Sequence, residues 1–167
     1  MKLGIIDLDT GNLASLMSAF NKLNIPAKIC RNNFDFHDVD KVILPGVGSF
    51  DRGMTALALN GFDDALVNTV SRYQIPCLSI CLGMQLMAER GEEDGLRDGL
   101  GFIKGAVTRI KPTAKIKVPH VGFNSVNFDP KCKLIAGLNP EVDAYFVHSY
   151  KLEPGEQRGL LGVCKYG

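Results

Sequence analysis

Cys81 closes one apolar run and opens another in Ile75-Pro76-Cys77-Leu78-Ser79-Ile80-Cys81-Leu82-Gly83-Met84-Gln85. The stretch before it reads as a buried strand and the stretch after it as a helix, with no loop between. A nucleophile on so sharp a turn needs small residues two places to either side, because the turn brings backbones together. Ser79 and Gly83 stand there. A helix beginning at the thiol points unpaired N–H groups at it and favours the thiolate, the reactive form. The N–H of Leu82 is placed to stabilise an oxyanion. Together these features suit attack on an acyl carbon. The plain alternative for any cysteine is a small core residue, and Cys77, without an elbow, is assigned to the core. Pro45-Gly46-Val47-Gly48 is the second candidate segment. Its glycines let the backbone approach a ligand or take φ > 0, at the carboxyl end of a strand where doubly wound sheets bind ligands. Alone it would be only a strand-ending turn.

The elements that must position these residues alternate. Lys2 to Asp7 reads as a strand, and Leu13, Leu16, Met17, Phe20 and Leu23 follow at helical spacing with Asn12 as cap. Pro26 to Cys30 and Lys41 to Leu44 are further strands. Phe62, Ala65, Leu66 and Val70 mark a helix, Gln74 to Ile80 a strand, and Leu82 to Arg90 a helix. Such alternation predicts an α/β fold, a parallel sheet with helices on both faces. The second half predicts mixed or antiparallel strands at Gly105–Ile110, Lys115–Val118, Ser125–Phe128, Ala144–Tyr150 and Leu160–Lys165. No linker divides the 167 residues, so one domain is expected over 1–167.

Composition narrows the function classes. Nineteen Lys and Arg against eighteen Asp and Glu leave a net charge of +1, which gives no footprint for nucleic acid. The densest basic stretch, Arg109, Lys111, Lys115 and Lys117, is either a solvated hairpin or a charged partner surface. No apolar run reaches the roughly 18 residues of a membrane span, and Met1-Lys2 leads straight into a strand instead of a signal peptide. Five scattered cysteines suggest a reduced, cytoplasmic chain. Cys77 and Cys81 are not a CxxC pair, and the glycines at 46 and 48 make no GxGxxG, so no metal and no cofactor is expected.

Taken together, LPGVGSF at 44–50 and SICLGMQLMAER at 79–90 resemble the class I glutamine amidotransferases. Asp7 to Leu13, Gly99 to Ile103, Lys117 to Asn124 and Ala144 to Tyr150 are similar to the glutaminase subunits of imidazole glycerol phosphate synthases. The resemblance implies a flavodoxin-like core and the release of ammonia from glutamine for a cyclase partner in histidine biosynthesis. Cys81 would be the nucleophile. Gly46, Val47, Gly48 and the Leu82 N–H would face the oxyanion and the substrate. Gln85, His148, Ser149 and Tyr150 would line the glutamine pocket. Pro119, His120, Gly122, Phe123 and Asn124 would face the cyclase.

The chain departs from the family in four places. Ser79 replaces a usual Gly, Phe123 a usual Trp, and the opening loop Asp7-Leu8-Asp9-Thr10-Gly11-Asn12 a commoner Tyr-Gly pair. The family's catalytic His and Glu sit in a later Phe-His-Pro-Glu-Lys motif, and no His-x-Glu occurs here. The expectation is a chain that stops before that motif, with a sheet edge left uncovered. Of His37, His120 and His148, only His148 would pair with Cys81 as a substitute base. Two other functions stay open: a paralogue serving amidotransferases of surface-polysaccharide sugars, and an inactive binding subunit.

Overall fold

A computed structural model describes residues 1–9, 12–156 and 159–166; Thr10 and Gly11 of the opening loop lie outside the described residues. The first half builds a four-stranded parallel sheet from β1 (Leu3–Ile6), β2 (Ala27–Cys30), β3 (Lys41–Gly46) and β4 (Cys77–Cys81), in the order β2-β1-β3-β4. Alternation along each strand splits the core in two. Leu3, Ile5 and Ile43 face helix α1 (Leu13–Lys22), which packs Leu13, Leu16, Met17 and Phe20 on them. The Asn12 side chain accepts from the Ser15 N–H at 3.3 Å and caps α1 as expected.

Ile6, Val42 and Leu44 face the other way, onto α2 (Phe50–Leu59), α3 (Phe62–Val67) and α4 (Leu82–Leu86). Burying each of Phe50, Leu57, Phe62, Leu66 and Leu82 is worth about 1.5–3 kcal/mol. Helix α2 is not among the sequence-predicted elements. Phe62 to Val70 is helical as expected, its end a π-helical turn over Asn68–Arg72.

Two smaller sheets follow. One takes β10 (Tyr150–Pro154), β7 (Ile103–Arg109), β5 (Ala88–Gly91) and β6 (Arg97–Asp98) in that order, with only β5–β7 parallel. The other is antiparallel: β11 (Gly162–Cys164), β8 (His120–Phe128) and β9 (Glu141–His148). His148-Ser149-Tyr150 is therefore the joint at which the chain leaves one small sheet and enters the other.

Three expectations are corrected. The helix predicted over Leu82–Arg90 ends at Leu86, because Ala88 to Gly91 pairs with β7 and β6, where ladder bonds and burial of Ala88 outweigh helical spacing. Lys115–Val118 forms no strand. Strand β3 does not stop at Leu44 but carries Pro45 opposite Ile80 and Gly46 opposite Cys81.

Among the described residues β4 is an outer strand of the parallel sheet, and α1 does not reach its far face. Leu78 is 42% exposed and Ile80 39%.

The tightest joint is between α4 and β3. A Cβ on Gly83 would lie 1.9 Å from the Leu44 carbonyl oxygen, so α4 can approach the sheet only with glycine there. Gly155 has nothing closer than 3.6 Å to such a Cβ. Gly83→Ala is expected to cost about 1–3 kcal/mol, the range of overpacked sites, while Gly155→Ala shifts the urea midpoint little. Equal midpoints for the two variants would contradict this packing.

Candidate active site

Strand β4 passes into α4 without a linker, and Cys81 is both the last strand residue and the helix N-cap, with φ 53° and ψ −117°. A non-glycine residue at positive φ is held there only by its surroundings, at a cost of order 1–3 kcal/mol. Its neighbours supply that hold. Gly46 lies opposite Cys81 in the ladder, and a Cβ on Gly46 would sit 3.2 Å from Leu82 Cβ. Two residues before the elbow, Ser79 fits despite its hydroxyl, which donates to Met87 Sδ at 3.0 Å.

The Cys81 thiol is exposed at a cavity of about 1030 Å³. Ile80, Met84, Gln85, Tyr145, His148 and Tyr150 are among the residues of its wall. Gln85, buried in α4, donates from Nε2 to the Tyr150 carbonyl at 3.1 Å and ties the elbow's helix to the 148–150 joint. The predicted residues are thus partly assembled. Cys81, Gln85, His148 and Tyr150 share one cavity wall. Gly46 is buried behind Cys81, and Val47 and Gly48 lie exposed beyond it, Gly48 at φ 114°. Leu82 lies buried beneath the elbow, and Ser149 is not on the wall; its carbonyl accepts from Ile110.

The two inner histidines are joined by hydrogen bonds. A carbonyl can only accept, so His148 Nδ1 donates to the Tyr150 carbonyl at 2.8 Å. His148 Nε2 and His120 Nδ1 lie 3.1 Å apart and share one hydrogen bond. His120 is stacked between Phe146 and Tyr166, with ring centroids 4.7 and 3.7 Å away. Burial first, and then the neighbouring His148, lower the His120 pKa. Both ring nitrogens of His148 are occupied, which removes it as a partner for the Cys81 thiol in this arrangement. His37 is exposed in the 3-10 turn Asn33–Asp38, away from the cavity wall.

The predicted cyclase-facing segment divides in two. His120 is only 4% exposed and points inward, so it is corrected from a surface contact to the inner half of this pair. Phe123 is 78% exposed, edge-on to Tyr145 at 5.3 Å. Val121, Val147 and Val163 extend the same apolar face, which the sequence reading missed beyond Phe123. The period-2 alternation of β8 and β9 was the signal for it.

The sequence pattern of the family described as "Glutamine amidotransferase class-I" matches residues 4–164. This chain is a class I glutamine amidotransferase. An imidazole glycerol phosphate synthase subunit HisH from Desulfitobacterium hafniense is 41% identical over 165 residues, 99% of this chain and 77% of that protein. HisH 1 of Campylobacter jejuni is 43% identical over 148 residues, 89% of this chain and 74% of that one. HisH of Bacillus subtilis is 37% identical over 169 residues, 99% and 79% of the two chains. A crystal structure of a glutamine amidotransferase superposes with a TM-score of 0.73 at 18% identity, covering 96% of this chain and 78% of that one. At that identity the likeness concerns the amidotransferase fold, α/β with a flanked parallel sheet, and this chain has it.

The five cysteines differ sharply in access. Cys30 and Cys132 are buried, and burial raises the thiol pKa of Cys30, Cys77 and Cys164. Only thiolate reacts with iodoacetamide. At mildly alkaline pH, Cys81 of this amidotransferase is therefore expected to alkylate first, at least about tenfold faster than the other four by peptide mass mapping. Uniform labelling would mean that the elbow does not form.

Proposed function

We propose that this protein is the glutaminase subunit of an imidazole glycerol phosphate synthase, a cytoplasmic enzyme that hydrolyses glutamine and passes the ammonia to a cyclase subunit. One observation carries the chemistry. An exposed cysteine stands at positive φ on a strand-to-helix turn, beside a glycine loop and facing a cavity. The relatives' names supply the pathway.

In this reading the Cys81 thiolate attacks the side-chain amide carbon of glutamine, and the carbonyl oxygen becomes an oxyanion. The Leu82 N–H and the Gly46–Gly48 loop receive that charge. Collapse, with the proton given up by the thiol delivered to the amide nitrogen, expels ammonia and leaves a glutamyl thioester. Water then hydrolyses the thioester to glutamate and regenerates the thiol. Gln85 and the 148–150 joint hold the amino-acid end of the substrate. The thiol proton needs an acceptor. His148 is committed to His120 and Tyr150, and no His-x-Glu stands in the 167 residues. Phe123 and the apolar face around it receive the cyclase, to which an exposed aromatic is a suitable anchor.

Two variants of the native protein, assayed with its cyclase subunit, separate these assignments. Cys81→Ser is expected to lower glutamine hydrolysis by more than about a thousandfold with the fold retained; near wild-type turnover would refute the nucleophile. Phe123→Ala is expected to weaken association by roughly 1–3 kcal/mol, and unchanged affinity in a titration would move the interface elsewhere.

A further inference from the structure

Ser49, the N-cap position of helix α2, follows directly on the Gly46–Gly48 loop, yet the helix lacks an ordinary cap. The Ser49 side chain makes no capping bond, and its Oγ is buried without a hydrogen-bond partner. The cap comes from 43 residues away: Phe50 N–H donates to Glu93 Oε2 at 3.1 Å. Glu93 lies in the turn between β5 and β6, and the rest of that hairpin grips the same turn of α2. Arg97 Nη1 donates to Asp51 Oδ1 at 2.6 Å and to Thr55 Oγ1 at 2.7 Å. The Phe50 ring, fully buried, is wedged against two glycines of the hairpin region. A Cβ on Gly91 would be 2.5 Å from that ring and one on Gly99 3.1 Å.

We propose that the β5–β6 hairpin is a clamp for the glycine loop, with Glu93 a positioning residue that orients the Val47 and Gly48 N–H groups through its bond to Phe50. The inference rests on the amidotransferase reading of Cys81 and that loop. The loop has an anchor at each end. Gly46 is fixed in β3 opposite Cys81, and Phe50 is fixed by the clamp. Between them Val47 and Gly48 are exposed, and nothing lies within 4 Å of a Cβ placed on Gly48. Their orientation is therefore set by their two ends, and of these only the Phe50 end depends on a side chain distant in sequence.

Burial raises the Glu93 carboxyl pKa, the Phe50 N–H lowers it, and Asp94 raises it further, with a net rise. A carboxyl with a folded pKa above its unfolded value favours folding when protonated, and that contribution is lost as pH rises through the folded pKa. The bond to the Phe50 N–H, and not the titration, is the observation on which the clamp rests.

The test uses steady-state glutaminase kinetics of the native protein with its cyclase subunit, alongside Cys81 alkylation and thermal melting. Glu93→Ala removes the acceptor and is expected to lower kcat about 10–100-fold, the scale of a misplaced oxyanion donor. KM should stay within about threefold and Cys81 alkylation within about twofold, since the elbow is untouched. Glu93→Gln keeps an acceptor oxygen and is expected to recover most of kcat without a lower melting temperature. Arg97→Met loosens the clamp from its far side and is expected to lower kcat with KM unchanged, and it decides the matter if Glu93→Ala fails to fold. Wild-type kcat in Glu93→Ala, or in Arg97→Met where Glu93→Ala does not fold, overturns the clamp. So does a Glu93→Gln variant as damaged as Glu93→Ala with a raised KM, because the charge would then contact glutamine itself. A wild-type protein that neither hydrolyses glutamine nor alkylates selectively at Cys81 overturns the amidotransferase reading instead.

Discussion

Everything at the site depends on how closely α4 packs against β3. Gly83 sits against the Leu44 carbonyl, where no side chain fits. That contact leaves the chain no room for a connecting loop after β4. The turn must then be made within one residue, and Cys81 takes the positive φ that makes it. The same approach buries Gly46 and Leu82 behind the thiol. Position and strain at Cys81 are thus consequences of backbone packing a few residues away.

A second constraint is long-range polar tethering. Gln85 to the Tyr150 carbonyl, Glu93 to the Phe50 N–H and the His120–His148 pair each join segments far apart in the chain. Each satisfies a polar group that would be costly to bury alone. Gln85 and His148 converge on one carbonyl, that of Tyr150, so α4 and the inner side of β8 meet through a single peptide group. The apolar face with Phe123 lies on the other side of β8.

Much of this was legible in the sequence where local pattern and tertiary role agree. The strands β1 to β4 and helix α1 follow from apolar runs, caps and turn residues, and the elbow follows from Ser79, Cys81 and Gly83. Legibility fails where distant pairing decides. Helical spacing runs on past Leu86, but the unseen partners β6 and β7 make 88–91 a strand. Helix α2 carries Phe50, Met54 and Leu57 on one buried face, a signal diluted by Gly53 and the alanines at 56 and 58. His120 read as a surface residue because its stacking partners, Phe146 and Tyr166, are remote in sequence. The role of Glu93 had no local signal, since its partner is a backbone N–H with no side-chain signature.

The most direct measurement is covalent trapping. The native protein, with its cyclase subunit, would be treated with a glutamine analogue that carries a diazoketone in place of the side-chain amide, and its cysteine peptides weighed. The account predicts one adduct, on the peptide that contains Cys81, and its suppression by added glutamine. Adducts spread over Cys77 or Cys164, or an unmodified Cys81, would contradict it.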